Sequence, residues 1–275
     1  MNKIKVLVVP SDRTGVGKFR SVDPHVKLNE MFGDEFEVDI NYEPELTDEF
    51  LTQYDIIHAH RTLGPYETAP NTLKRLQQLG IKCLLDLDDY WAPGVEHPAY
   101  QIIKTYDLAG KIVNNVKAAE HIITTTTVFA DKIKEINKNV YILPNAVDSK
   151  QKQFKPQVEE SDFLRIGWLG GSSHYHDLIQ LEGLTESLNN DFNHLQYVLC
   201  GYDIRGKVTQ IDPQTKQQKE RDIKPHETVW HQYEEILNTK SLISKKYKDY
   251  LGSYENKMFN GEKDEKYRRV WTKPV

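Results

Sequence analysis

Cysteine is nearly absent. The 275 residues hold two, Cys83 and Cys200, and no paired spacing suggests a disulfide framework or a zinc site. Both sit inside apolar runs and read as buried thiols that pack like small hydrophobes. An excess of positive charge is also missing: 36 Lys and Arg stand against 41 Asp and Glu, for a net charge of -5. That leaves no electrostatic footprint for nucleic acid, which calls for a basic face. Phosphate-bearing small molecules remain open, because they need only a few local donors. Long apolar runs are lacking too. No stretch approaches the ~18 residues of a membrane span, and Ile4–Val9 is too short for the core of a signal peptide. The expected setting is a reducing cytoplasm, with at most peripheral membrane contact.

What remains is an ordinary globular composition, 38% apolar and 28% charged, long enough for one large or two modest domains. The first half alternates short β-branched runs with longer amphipathic stretches. Strands are expected at Lys3–Val9, Phe36–Ile40, Asp55–Ala59, Ile81–Leu87, Glu120–Thr125 and Val140–Leu143. Helices are expected at Lys18–Phe32, with a break or a late start at Pro24, and at Thr68–Leu79 with Gly80 as its C-cap. Two more are expected at Gln101–Lys117 and Val128–Ile136. Near-continuous apolar strands separated by helices mark a parallel sheet covered on both faces. Right-handed crossovers then make a doubly wound sheet the economical topology.

After Pro144 the polar stretch 149–163 reads as a linker. The pattern restarts with a strand at Leu164–Leu169, a polar loop Gly170–Ser173, a helix at Leu178–Leu188 and a strand at Leu195–Cys200. Asp203–Pro225 reads as an exposed loop or hairpin. Thr228–Leu251 reads as a helix or helix pair, and the overlapping Tyr- and Lys-rich segment Tyr233–Tyr254 as a solvated cover for the second sheet. Arg268–Thr272 is a candidate third strand. The fold class is therefore α/β with two Rossmann-like doubly wound parallel-sheet domains, at 1–148 and 164–275. The second is incomplete and carries an inserted segment, 203–265.

Doubly wound sheets bind ligands beyond the carboxyl ends of their strands, so the loops there carry the candidate chemistry. Gly15-Val16-Gly17 comes after the first strand, with Lys18 and Arg20 beside it. It is either a plain turn or a place where backbone approaches a ligand closely. His58 and His60, with Arg61, end the third strand. They serve as hydrogen-bonding groups or as simple rim residues, and no third ligand makes them a metal site. Asp86-Leu87-Asp88-Asp89-Tyr90-Trp91 is the sharpest cluster. Its three carboxylates repel one another unless a cation, sugar hydroxyls or basic neighbours meet them. Tyr90 and Trp91 offer flat apolar faces to a sugar ring, while Asp88 or Asp89 alternatively caps the next segment of the chain. In the second half Gly170, Gly171, Ser172 and Ser173 precede a helix and make either an anion site or a capped helix start.

With the strand ends placed, the chain resembles a B-type-fold glycosyltransferase, nearest to the retaining family four (glycosyl transferases group 1). The likeness runs from Val6 to about Gly201. Its most specific element is Leu143-Pro-Asn-Ala-Val-Asp148, similar to the family's L-P-N-G-V-D at the passage into the donor domain. Ile166-Gly-Trp-Leu-Gly-Gly171 and the strand ends at His58–His60 and Asp88-Asp89 add to it by order and spacing. The resemblance implies an acceptor lobe and, after it, a nucleotide-sugar lobe. A sugar passes to an acceptor hydroxyl with retention, and nothing beyond the nucleotide-sugar is required. The acceptor is a glycan, a lipid-linked molecule or a protein. It further implies that Gly15, Gly17 and Gly170–Ser173 approach the donor and its diphosphate. Asp86, Asp88 and Asp89 would carry catalysis, and His58, His60, Arg61, Tyr90, Trp91, Lys18 and Arg20 would contact acceptor or sugar.

The chain also departs from the family. Asp88 stands where the family often has a histidine, Trp168 replaces a phosphate-binding arginine, and a Glu pair of the E-x7-E kind is missing. A non-catalytic glycan- or partner-binding module on the same fold is the alternative. A metal-binding Asp86-x-Asp88, as in A-type transferases, is a third reading.

Overall fold

The computed structural model describes residues 2–13, 15–95, 97, 100–150, 162–171, 174–202, 207–212, 214–215, 217–237 and 242–246. The chain divides into two compact units, Met1–Lys155 and Pro156–Val275. Ser172, Ser173, most of the expected linker and the candidate strand Arg268–Thr272 lie outside the described residues.

In chain order the first unit contains β1 (Ile4–Val9), α1 (Gly15–Gly17), α2 (Asp23–Phe32), β2 (Phe36–Ile40), α3 (Asp48–Leu51) and β3 (Ile56–His60). Then come α4 (Ala69–Gln78), β4 (Lys82–Leu87), α5 (Tyr100–Thr105), α6 (Leu108–Ala118), β5 (His121–Thr124), α7 (Thr127–Lys134) and β6 (Val140–Ile142). The six strands form one sheet in the order β2-β1-β3-β4-β5-β6, and every pairing is parallel. The expected doubly wound α/β sheet is present here. Val6–Val9 of β1, Ile57–His60 of β3 and Leu85–Leu87 of β4 are buried as continuous runs rather than in alternation, as strands covered on both faces must be. Leu73 and Leu76 of α4, Val116 of α6, and Phe129 and Ile133 of α7 close the core with Leu7, Ile57, Leu85 and Ile122.

Two local features differ from the sequence expectation. The regular α-helix starts late, at Asp23 with Pro24 in its first turn, but the helical path is not broken there. It begins at Gly15, widens into a π-helical turn over Lys18–Val22, where Asp23 N–H donates to Lys18 O, and runs on to Phe32. Pro24 cannot donate to the carbonyl four residues back, and the wider turn absorbs that defect. Second, the helix expected over Gln101–Lys117 is two helices. Asp107 adopts φ 48° between them, a left-handed geometry that no continuous helix accepts. Gly80 does end α4 in the left-handed region, at φ 84°, as a C-cap glycine should.

The second unit contains β7 (Leu164–Gly171), α8 (Tyr175–Leu178), α9 (Leu184–Asp191), β8 (Leu195–Tyr202), β9 (Lys207–Ile211), β10 (Gln218–Asp222), α10 (Val229–Ile236) and β11 (Leu242–Lys246). β11, β8 and β7 form a parallel three-stranded sheet in that order. β9 and β10 pair antiparallel, so the expected hairpin is present. The helix or helix pair expected from Thr228 to Leu251 is corrected: among the described residues of that range the helix is Val229–Ile236, and Leu242–Lys246 is a strand beside β8. Leu242 and Ile243 have the apolar character of a sheet residue pair, and pairing with β8 outweighs helix propensity. Among the described residues the core of this unit is Leu178, Leu199, Trp230, Tyr233 and Leu237.

Candidate functional site

Strand order reverses between β1 and β3. In an open α/β sheet the crevice at such a reversal, beyond the carboxyl ends of the strands, is where ligands bind. Three segments converge there: Pro10–Arg13 after β1, His58–Arg61 at the end of β3 and Asp86–Asp89 at the end of β4. The register sets His60 of β3 beside Asp86 of β4.

Asp86 is fully buried and Arg20 is 3% exposed. Arg20 reaches it from the π-helical turn, and its Nη2 donates to both carboxylate oxygens at 2.8 and 2.9 Å. Arg20 Nη1 donates to Leu143 O at 2.7 Å and to Asn145 Oδ1 at 3.1 Å. One guanidinium thus ties the acidic cluster to the Leu143–Asp148 segment. Lys27 adds a second tie, 3.2 Å from Asp148. His58 Nε2 lies 3.4 Å from Asp86 Oδ2. Both ring nitrogens of His58, Arg20 Nε and Ser21 Oγ are buried without a hydrogen-bond partner.

A second layer lies above the first. Arg61 clamps Asp88 through Nε and Nη2 at 3.0 and 3.1 Å, and the same Nη2 donates to Asp89 Oδ2 at 2.8 Å. Arg61 holds φ 67°, a conformation rare for a long side chain and typical of positions held for function. His60, fully buried, bridges Asp88 Oδ1 at 3.1 Å through Nε2 and Ser11 Oγ at 2.8 Å through Nδ1. Burial raises the Asp88 pKa, but hydrogen bonds from His60 and Arg61 outweigh it and hold the carboxyl well below its usual range. A carboxylate accepts only, so the His60–Asp88 contact places the proton on Nε2. Ser11 Oγ also lies 2.7 Å from Asp12 Oδ2.

Basic neighbours therefore neutralise the acidic cluster. Asp86 and Asp88, the pair of the metal reading, are both occupied by cationic side chains. Among the described residues no group of three or more His, Cys, Asp or Glu is arranged to hold a metal ion.

Other sequence candidates fall in different surroundings. Lys18 is paired with Asp23 at 2.6 and 2.8 Å. Gly17 is required by packing: a Cβ there would sit 2.1 Å from Asp12 O. Its N–H donates to Asp12 Oδ1 at 3.2 Å. Gly15 has room, with only Phe19 at 3.9 Å. Gly17→Ala is expected to cost about 2 kcal/mol through forced backbone movement, measured by urea unfolding, while Gly15→Ala should change little. Tyr90 keeps its ring 52% exposed, whereas Trp91 turns into the core beside Phe129. Gly170 and Gly171 are not loop residues; they form the last two positions of β7. Gly170 leaves room for Trp168, whose ring a Cβ would meet at 2.7 Å. Trp168 in turn packs on Tyr233 and Trp230. Sequence reasoning missed Ser11, Asp12 and Asn145. The signal for the first two was their place directly after Pro10 at the end of β1.

Near the cluster, His25 stacks on His58 with ring centroids 4.5 Å apart. Burial and then the neighbouring His58 lower the His25 pKa to about 4. Between about 4 and the ordinary value of 6.5, the unfolded chain binds a proton that the folded protein refuses. Stability should therefore fall on acidification through that window, by up to about 1.4 kcal/mol per pH unit. His25→Gln should flatten this slope in a pH series of thermal melts.

No family model matches the chain, and no curated protein matches it. Among solved structures, the chain is similar to a conserved protein from Enterococcus faecalis V583. Identity is 10%, coverage is 52% of this chain and 92% of that one, and the TM-score is 0.21. A likeness at that score carries no argument. Among the described residues no helix is long and apolar enough to cross a membrane.

Proposed function

We propose that this chain is a glycosyltransferase that moves a sugar from a nucleotide-sugar to an acceptor hydroxyl in the cytoplasm, with retention at the anomeric carbon. The observation that carries the reading is the layered set of Arg20, Asp86, His60, Asp88 and Arg61 at the strand-order reversal. Such a crevice is a ligand site by its topology. Its polar groups are held rigidly enough to present fixed hydrogen-bond acceptors to a polyol.

The acceptor is assigned to this rim, where Asp89, Ser11 and the Tyr90 ring are exposed. Asp86 is a positioning residue, because it is sealed beneath Arg20. Inversion requires a general base beside the acceptor hydroxyl. Asp86 is engaged by Arg20, and Asp88 is a weak proton acceptor, clamped by Arg61 and His60. That favours retention, in which the leaving phosphate takes the proton. The donor diphosphate is assigned to the end of β7 and the residues that follow it, Gly170 to Ser173, in a second Rossmann-like domain. No metal or other cofactor enters this reading.

The test uses the whole chain with UDP-, GDP- and ADP-sugars and a glycan acceptor panel, reading calorimetric binding and release of nucleoside diphosphate. One nucleotide series should bind, and acceptor should accelerate release. Binding without release turns the reading into the glycan-binding module. Absence of binding across the panel removes it.

A further inference from the structure

The cations that the sequence offers at this rim are already engaged. Lys18 is held by Asp23, Arg20 by Asp86, and Arg61 by Asp88 and Asp89. Arg13 lies with its guanidinium 4.2 Å from the centroid of the Tyr42 ring. Against these four cations stand five carboxylates, Asp12, Asp23, Asp86, Asp88 and Asp89. The outermost is Asp89, whose side chain is 77% exposed and is held by Arg61 through one oxygen only. A carboxylate accepts hydrogen bonds and offers none, so the rim suits a ligand that donates.

A second observation points the same way. Beneath the rim, both ring nitrogens of fully buried His58, the hydroxyl of Ser21 and Nε of Arg20, whose charge Asp86 already neutralises, have no hydrogen-bond partner. Buried polar atoms are normally satisfied, and a hydroxyl, which donates and accepts, matches this mixture where an anion does not.

We infer that the subsite at the carboxyl ends of β1, β3 and β4 takes an uncharged, hydroxyl-rich sugar and rejects anionic ones, uronates and sugar phosphates alike. The inference rests on the transferase reading and names its acceptor class. It also assigns Ser11 and Asp89 as the residues that touch the acceptor. The phosphate-bearing donor is left to other parts of the chain, contrary to the donor role expected for Gly15 and Gly17.

Ligand-observed NMR on the whole chain tests this with neutral methyl hexosides, the matching uronates and the matching 6-phosphates. At low salt a neutral hexoside should bind about tenfold more tightly than either anion, and added salt should narrow the gap. Asp89→Asn should weaken the neutral ligand and relax the discrimination. Because Asp89 is exposed, that variant should keep the parental melting temperature. Equal or tighter binding of a uronate or a phosphate overturns the inference, as does no hexoside binding at all. The transferase reading is judged separately, by nucleoside diphosphate release from the donor panel. An enzyme that turns over but prefers anionic acceptors therefore sinks this inference alone.

Discussion

Arg20→Ala should destabilise the first unit by about 3–5 kcal/mol, because it leaves the Asp86 carboxylate buried without its counter-charge. Asp86 is fully buried and Arg20 is 3% exposed, so water cannot replace the lost partner. The same truncation strands Leu143 O and Asn145 Oδ1, each of which loses its charged donor. Asp86→Ala should cost a similar amount for the mirror reason. A double variant, Arg20→Met with Asp86→Leu, should cost less than either single change, since it removes both charges and fills the volume. Urea unfolding of the three variants settles the matter. Single variants within about 1 kcal/mol of the parent would show that the pair is not sealed as described. On the proposed transferase reading, the double variant should fold yet lose sugar transfer, because His58 and the Leu143–Asp148 segment lose their common anchor.

The sheet was legible because its signals are local. Apolar runs such as Ile4–Val9 and Ile81–Leu87 are bounded by Pro10 and Gly80, and each reads as a strand without knowledge of its neighbours. The acidic cluster was legible as well, and so were Arg20, His60 and Arg61 as residues of interest. Their partnership was not. Arg20 and Asp86 are 66 residues apart, and Arg61 and Asp88 are 27 apart. Only the strand order brings them together. That is why a carboxylate cluster that looked catalytic proves to be largely neutralised by its own cations. Pro24 misled for a related reason. Its effect on a helix depends on whether the preceding turn can widen, and the five residues of π-helix are a property of the packed chain. In the second unit, Trp168 looked like a lost arginine, whereas its place is set by Tyr233 and by the missing Cβ of Gly170. The strand β11 was hidden because Leu242–Lys246 is too short and too lysine-rich to announce itself without β8 beside it.

The second unit should be the more fragile part of the chain, and Trp230→Ala should expose this with a loss of about 3–5 kcal/mol. Among its described residues one cluster of five buried side chains forms the core, with Leu195 and Tyr197 buried beside it, and Trp230 and Tyr233 are the largest of the cluster. Trp230 stands in the first turn of α10, which Thr228 opens as N-cap by accepting from His231 N–H. From there its ring meets Trp168 of β7 at 6.3 Å and Tyr233 at 5.8 Å. Truncation leaves a void lined by these rings and by Leu178 and Leu199, and β7 and α10 cannot both move in to fill it. The same Tyr233 hydroxyl accepts from His174 N–H at 3.0 Å, so the start of α8 should loosen with the core. Trp230→Phe keeps most of the ring volume and should cost about 1.5 kcal/mol or less. Comparing the two by denaturant titration, with near-ultraviolet circular dichroism as the probe of the aromatic cluster, separates lost volume from lost fold. If the second unit carries the nucleotide-sugar, Trp230→Ala should abolish donor binding while the neutral-sugar signal of the first unit persists. Loss of both signals together would mean that the acceptor subsite depends on the second unit's core.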